Sequence, residues 1–150
     1  MYPTRKSLYD PAVYRDVLAR IERLRPDARP QWGRMNAAQM LAHCAEIVEV
    51  YNGKPLGTMP WYVRLGAGLV RRMVMSRLPY PKGLRTHPQF MPPATSDFEA
   101  EKARLLGALE TFMALKEIPC QHPLFGELGE EEKGWSMYKH LDHHLTQFGV

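Results

Sequence analysis

Cysteine is scarce in this sequence: only Cys44 and Cys120 occur among 150 residues. Two cysteines are too few for the disulfide framework of a small secreted protein, and Cys44 falls within a predicted helix, which favours a reducing compartment. The N-terminal segment also lacks an apolar stretch that could serve as the core of a signal peptide. These two absences predict a cytoplasmic protein.

Long hydrophobic runs are missing as well. A membrane-spanning helix needs about 18 or more consecutive apolar residues. The best candidate, WYVRLGAGLVRRMVM, is interrupted by Arg64, Arg71 and Arg72. We therefore expect no membrane partner. The length of 150 residues predicts a single domain over residues 1–150, large enough to bury its own core.

Carboxylates are absent from the middle of the chain. Residues 50–96 contain seven Lys or Arg and no Asp or Glu, whereas residues 97–150 contain five basic and ten acidic residues. Such a segment could face an anionic ligand, a nucleic acid or a lipid surface, or it could be a solvated basic face. No helix-turn-helix, zinc-finger or aromatic RNA-binding pattern accompanies the charge, so we expect no nucleic-acid partner.

Capping residues and hydrophobic periodicity predict five helical segments. Asn36 with Gln39, and Ser96 with Glu99, have the spacing of capping boxes. No segment shows the alternation of a strand, so the predicted fold is all-α. The predicted segments run from Asp10 to Leu24, from Asn36 to Val50, from Pro60 to Leu78, from Ser96 to a point before Pro119, and from Glu130 to Phe148.

The third of these segments is the weakest, because it contains two glycines and four arginines. The other four predict a four-helix bundle. The third segment is then an extra short helix in the long connection, residues 51–96, between core helices two and three. A connection of this length could cross the bundle and allow those two helices to run parallel.

Histidine is the residue type that indicates chemistry. Four of the six histidines lie on predicted helices, and the other two, His87 and His122, precede prolines in predicted loops. His140 and His144 are four residues apart, so they lie on one face of the last helix and could chelate one ion. His43 lies on the apolar face of the second helix and could supply a third ligand, since neutral imidazole nitrogens suit a borderline divalent ion.

Structural interpretations of the same residues remain open at this stage. His43 could be an ordinary core histidine, and His140 could pair with His143 instead. Cys44 lies about 100° around the helix from His43, so we expect a buried core residue rather than a ligand. Asp142 faces away from the paired histidines, and we expect it to be solvated.

Three stretches of the chain, QWGRMNAAQMLAHC, DFEAEKARLL and MYKHLDHHLTQFG, resemble the DinB/YfiT-like superfamily of metal-dependent bundle proteins. More narrowly, they resemble a bacterial branch catalogued as a domain of unknown function. The resemblance extends from about Lys6 to Val150. It implies a four-helix bundle with up-down-down-up order and the metal ligands His43, His140 and His144.

The resemblance also implies an activity. Better-studied relatives are thiol-dependent transferases and isomerases that use bacillithiol- or mycothiol-type cofactors. Three histidines leave coordination positions open, as in catalytic rather than structural sites. We therefore expect a metal-dependent transferase or hydrolase that acts on a small molecule, with a low-molecular-weight thiol as a candidate partner. The divalent ion could be zinc, nickel, iron or copper.

Two further residues are candidates for cofactor binding. Glu46 lies one turn from His43, and Gln147 lies three residues beyond His144. Either could orient a ligand or lie beside an open position, and Glu46 could equally be a surface carboxylate. Two other functions remain alternatives: a non-catalytic metal or small-molecule binding module, and an interaction protein with incidental histidines. A homodimer is an open alternative for the assembly.

Overall fold

The computed structural model describes residues 1–84 and 88–150. His87, which the sequence predicts to lie in a loop, is outside the described residues. The described residues form five α-helices, a single 3₁₀ turn and one short hairpin, so the predicted helical fold is confirmed. The helices are α1 (Pro11–Arg23), α2 (Ala37–Tyr51), α3 (Trp61–Met75), α4 (Phe98–Ala114) and α5 (Glu130–Gln147). The 3₁₀ turn is Pro88–Phe90, and the strands are β1 (Cys120–His122) and β2 (Gly126–Leu128).

The first turns of two helices test the predicted capping boxes. At α2 the prediction is confirmed, because Asn36 accepts from the backbone of Gln39 and the Gln39 side chain accepts from the backbone of Asn36. At α4 the prediction is wrong by one residue, because Asp97 is the N-cap. Ser96 instead donates its hydroxyl to the carbonyl of Pro93. Ser and Asp are both good N-cap residues. Because the Ser96 hydroxyl is already bonded within the turn at Pro93, Asp97 caps the helix.

The hairpin corrects the expectation of a loop without strands before α5. Its antiparallel register pairs His122 with Gly126, whose φ of 74° is easily adopted by glycine. Cys120 and His122 are both buried, and the Nδ1 atom of His122 accepts hydrogen bonds from the backbone N–H groups of residues 124 and 125. These two residues are therefore part of a structured turn, in strands too short to show alternation.

The core is centred on α2. This helix packs against α4 and α5, and eleven of its fifteen residues are buried. Helix α1 contacts α5 on another side, and α3 also contacts α5 but contributes no buried residue. The large side chains that are almost fully buried include Ile21, Met40, Leu41, Leu105, Leu109, Phe112, Trp135 and Met137. Within the described ranges, no helix has both the length and the apolar character needed to cross a bilayer.

Two buried lysines of α5 hold the ends of two other helices. The Lys133 ammonium donates to the carbonyls of residues 115, 116 and 118, at the end of α4. The Lys139 ammonium donates to the carbonyls of residues 73, 74 and 76, at the end of α3. Each ammonium thus directs its three N–H groups at carbonyls in or just beyond the last turn of a helix, at the negative end of the helix dipole. Helix α5 therefore holds the C-terminal ends of α3 and α4 in place.

Candidate metal centre

Three histidines from two helices meet between α2 and α5. His43 projects from the buried face of α2, and His140 and His144 project from successive turns of α5. One ring nitrogen of each lies within 4.8 Å of those of the other two. The Nε2 atoms of His43 and His140 are 3.1 Å apart. The three residues therefore converge, and the group could hold a metal ion.

The ring of His43 is oriented by a backbone carbonyl. Its Nδ1 atom lies 2.7 Å from the carbonyl oxygen of Phe90, in the 3₁₀ turn. Because a carbonyl oxygen only accepts hydrogen bonds, Nδ1 carries the proton and the Nε2 lone pair faces the Nε2 atom of His140. This is the pattern seen in metal-binding histidines, in which one ring nitrogen is fixed by an acceptor and the other faces the ion.

The ring of His144 is oriented in the same way by Gln147. The His144 Nδ1 atom is 2.8 Å from the Gln147 Oε1 atom, and the Gln147 Nε2 atom donates over 2.6 Å to the carbonyl of Trp32. The Trp32 carbonyl can only accept, so it fixes which end of the amide faces His144. His144 therefore donates from Nδ1 and keeps its Nε2 lone pair free.

A glycine makes room for this second orienting contact. Gly33, directly after Trp32, has a φ of 82°, in the left-handed region. A Cβ atom at Gly33 would lie 2.7 Å from the Gln147 Nε2 atom. Both the backbone conformation and the close approach therefore favour glycine, and a larger residue would displace the amide that holds His144.

His140 differs from the other two histidines in its surroundings. Its Nδ1 atom is buried and has no hydrogen-bond partner among the described residues. Its ring centroid lies 5.1 Å from that of His43 and 4.7 Å from that of His144. The ring is thus held against the other two imidazoles, and its polar atoms are less well satisfied than theirs. Such an incompletely satisfied buried group fits a site that is completed by an ion.

All three imidazoles are neutral at pH 7. Burial lowers the pKa of His43, although the hydrogen bond to Phe90 opposes the change. Burial also lowers the pKa of His144, to about 3, and the neighbouring His43 adds to the effect. The pKa of His140 falls well below its usual value through burial and the two adjacent histidines. Neutral imidazole is the form that binds a metal, so no proton has to be displaced at physiological pH.

Glu46 lies in an ion-pair network and not at the surface. Its side chain is only 12% exposed, and it pairs with Lys54 and Arg104 while accepting a 3.0 Å hydrogen bond from Gln89. Burial alone would raise the pKa of Glu46, but the hydrogen bonds from these three partners together lower it. Gln89 precedes Phe90, so Glu46 is connected to His43 through the turn that supplies the carbonyl acceptor.

The same turn is fixed onto α2 at further points. The Gln39 side chain donates to the carbonyl of Pro92, and the Asn36 side chain donates to the carbonyl of Ala94. The capping residues of α2 therefore also hold the segment that orients His43.

Sequence reasoning missed the Phe90 and Trp32 contacts, because both act through backbone carbonyls and leave no side-chain signal.

Two neighbours of the histidines follow their expected roles only in part. Cys44 is buried, as predicted, and its thiol contacts the sulfur of Met40. Asp142 does face away from the three histidines, but the expectation that it is solvated is wrong. It accepts 2.7 Å hydrogen bonds from the Arg20 guanidinium and from the Tyr2 hydroxyl. Arg20 is itself buried, and a buried guanidinium requires such a partner.

A small cavity lies beside the site, on the adjacent face of α5. It measures about 190 Å³, and its walls include His143 and the rings of Trp32 and Tyr80. The Lys82 ammonium also lines it, 4.5 Å from the ring centroid of Trp32. The His143 ring is 5.0 Å from that of His144. His143 therefore stands between the three-histidine group and a cavity that combines aromatic walls with the charged residues Lys82 and Asp142.

Comparison with known proteins identifies a family and nothing narrower. The chain matches the model of a family described as protein of unknown function (DUF1569) over residues 5–149. Neither the curated proteins nor the solved structures contain a significant match.

Proposed function

The chain belongs to the family described as protein of unknown function (DUF1569), and from this premise we propose that it is a metal-binding protein of the DinB/YfiT-like type. One divalent cation is bound by His43, His140 and His144. The observation that carries the proposal is the convergence of three neutral imidazoles, two of which have their Nδ1 protons fixed by oxygen acceptors. The helical fold is compatible with an up-down-down-up bundle of that type.

The donor set suits zinc, nickel, iron or copper, because imidazole binds all of these ions. A divalent ion bound by three histidines keeps coordination positions open and lowers the pKa of a thiol or water that reaches it. Gln147 positions His144, and Glu46 positions the Gln89–Phe90 turn that orients His43. We therefore propose that Glu46 and Gln147 orient metal ligands and do not lie beside an open coordination position.

For the activity, we propose a metal-dependent transferase or hydrolase that acts on a small molecule together with a low-molecular-weight thiol. The cavity beside His143 supports this substrate class, because its aromatic walls accommodate an apolar group and Lys82 can pair with a carboxylate. Such a site fits the end of a small molecule better than a polymer. Cys44 and Cys120 are both free, which is compatible with the cytoplasm, where such thiols are reduced.

The test uses the purified chain, stripped with a chelator and loaded with Co²⁺, whose absorption spectrum reports its ligands. We expect a d–d spectrum of a site with nitrogen ligands, and a new thiolate-to-cobalt absorption band on addition of a low-molecular-weight thiol. His143→Ala is the matched control and should retain the d–d spectrum. A cobalt spectrum that does not change with any thiol would contradict the proposed thiol chemistry and favour a non-catalytic metal-binding module. Absence of any cobalt spectrum would contradict the metal site itself.

A further inference from the structure

Helix α3 exposes a row of large apolar side chains. Trp61, Leu65 and Leu69 are spaced by four residues, and they are 73%, 75% and 75% exposed. Tyr62, beside them, is 61% exposed. Single exposed apolar residues are ordinary on a protein surface, but a contiguous group on one helix face indicates a binding surface. We call these four residues the α3 apolar face.

The orientation of α3 is fixed by its other side. Arg71 forms a 2.6 Å ion pair with Glu132 of α5, and Lys139 donates to the last carbonyls of α3. The indole N–H of Trp135 donates to the carbonyl of Met75, at the end of α3. The helix could not turn its apolar face towards the core without breaking these contacts. The exposure is therefore a feature of how α3 is anchored.

The surroundings of the α3 apolar face are positively charged. Residues 50–84 contain no carboxylate. Arg64 is exposed beside the apolar row, and Arg72 is exposed at its end, about one turn beyond Leu69. A groove of about 340 Å³ adjoins the row, with Leu69 and Leu78 among its apolar walls and Arg72 at its side. Carboxylates of other elements pair with two basic residues of this segment, Lys54 and Arg71. The remaining basic residues are Arg64, Arg72, Arg77 and Lys82.

From this combination we propose that α3 docks on an anionic lipid surface, with its axis in the plane of the interface. Interfacial helices carry Trp and Leu on one face and Lys or Arg around it. Trp and Tyr, which begin α3, are the side chains that favour the boundary between headgroups and acyl chains. The sequence-based expectation of no membrane partner considered only a spanning helix, and surface docking requires none.

A second copy of the chain fits this face less well. In a two-fold symmetric contact each surface meets itself. Pairing α3 with its own copy would therefore bring Arg64 and Arg72 of both chains together, and residues 50–84 offer no carboxylate to compensate them. Anionic headgroups supply the missing negative charge, and each Arg near such a surface strengthens binding about fivefold.

The test is cosedimentation of the intact chain with vesicles of phosphatidylcholine alone or of equimolar phosphatidylcholine and phosphatidylserine. We expect binding only to the anionic vesicles, and a decrease when salt is raised. The double variant Leu65→Glu, Leu69→Glu should lose binding, and Arg72→Gln should weaken it about fivefold. The matched controls, Ile118→Glu and Arg23→Gln, change exposed residues on other surfaces and should bind as the unmodified chain does.

Thermal melts and metal content of every variant must match those of the unmodified chain, since all of these side chains are exposed. Three results would overturn the proposal. They are no cosedimentation with anionic vesicles, equal binding to both vesicle types, and equal losses in the control variants. Sedimentation velocity without lipid tests whether a second copy covers the face instead. A dimer of the unmodified chain that dissociates in the Leu65→Glu, Leu69→Glu variant would also overturn the proposal.

Discussion

Helices α2 and α3 have the same length but opposite environments. Each has fifteen residues, and eleven are buried in α2 whereas none is buried in α3. Helix α2 packs against α4 and α5, while α3 is anchored to α5 mainly through its C-terminal carbonyls. An apolar row in the sequence therefore predicts a helix, but it does not predict whether the row packs into the core of the chain or stays exposed.

The two helices also differ in how their charges are matched. On α2, Glu46 and Glu49 both pair with Arg104 of α4. On α3, Arg64 and Arg72 are exposed in a segment without carboxylates. Charges on α2 thus contribute to packing within the chain. On α3 only Arg71 does so, through Glu132 of α5, whereas Arg64 and Arg72 face outward, towards the surface that we propose α3 contacts.

The largest expected effect is the loss of stability when a buried leucine of α2 is truncated, and the same truncation on α3 provides the comparison. Leu41 of α2 is fully buried, so Leu41→Ala should lower the free energy of unfolding by about 2–5 kcal/mol. Leu65 of α3 is 75% exposed, so Leu65→Ala should change it by less than about 0.5 kcal/mol. Urea denaturation measures both values. Similar losses in the two variants would show that α3 belongs to the core.

Acidification should destabilise the metal-free chain through the buried histidines. The folded pKa of His144 is about 3, so below the unfolded value of 6.5 the unfolded chain binds more protons. Stability is therefore fully present above about pH 6.5 and falls as the pH decreases towards 3. Between pH 6.5 and 5 we expect a loss of about 2 kcal/mol from His144 alone.

Urea denaturation with chelator at several pH values measures this dependence. His144→Gln should reduce the slope relative to the unmodified chain. A stability that does not change from pH 7 to pH 5 would contradict the burial of the three histidines.

Removing each buried lysine should destabilise a different helix end, that of α3 for Lys139 and that of α4 for Lys133. Lys139→Met and Lys133→Met each remove three hydrogen bonds to carbonyls at a helix end, at a cost of about 1–3 kcal/mol. Amide hydrogen exchange should rise in the last turn of α3 only for Lys139→Met. In Lys133→Met the increase should appear at the end of α4. The same exchange pattern in both variants would argue against separate anchoring roles.

The last effect, on metal affinity alone, is expected at the contact that orients His144. Gly33→Ala introduces a Cβ atom against Gln147 and strains a left-handed backbone. Loss of an orienting contact of this kind typically lowers metal affinity about 10–100-fold. Competition titration with a chromophoric chelator measures the affinity. Gly53→Ala is a matched control, because Gly53 also has a positive φ but has free space around its Cβ position. Equal affinities in the two variants would contradict the role of Gly33.

Much of this arrangement could be predicted from the sequence. Caps such as Asn36 act locally, and the four-residue spacing of His140 and His144 determines their shared face, so these predictions need no tertiary information. The contacts of Glu46 with Arg104, and of His43 with the Phe90 carbonyl, join residues 58 and 47 positions apart. No local pattern encodes such pairs. The hairpin at residues 120–128 was missed because a three-residue strand has no measurable periodicity.

The central claim is that His43, His140 and His144 form one metal site, and metal stoichiometry tests it most directly. The unmodified chain and four single His→Ala variants are each dialysed against the same divalent ion and analysed for bound metal. We predict one ion per chain, its loss in His43→Ala, His140→Ala and His144→Ala, and its retention in His143→Ala. Retention of the ion in all three site variants, or an equal loss in His143→Ala, would contradict the account.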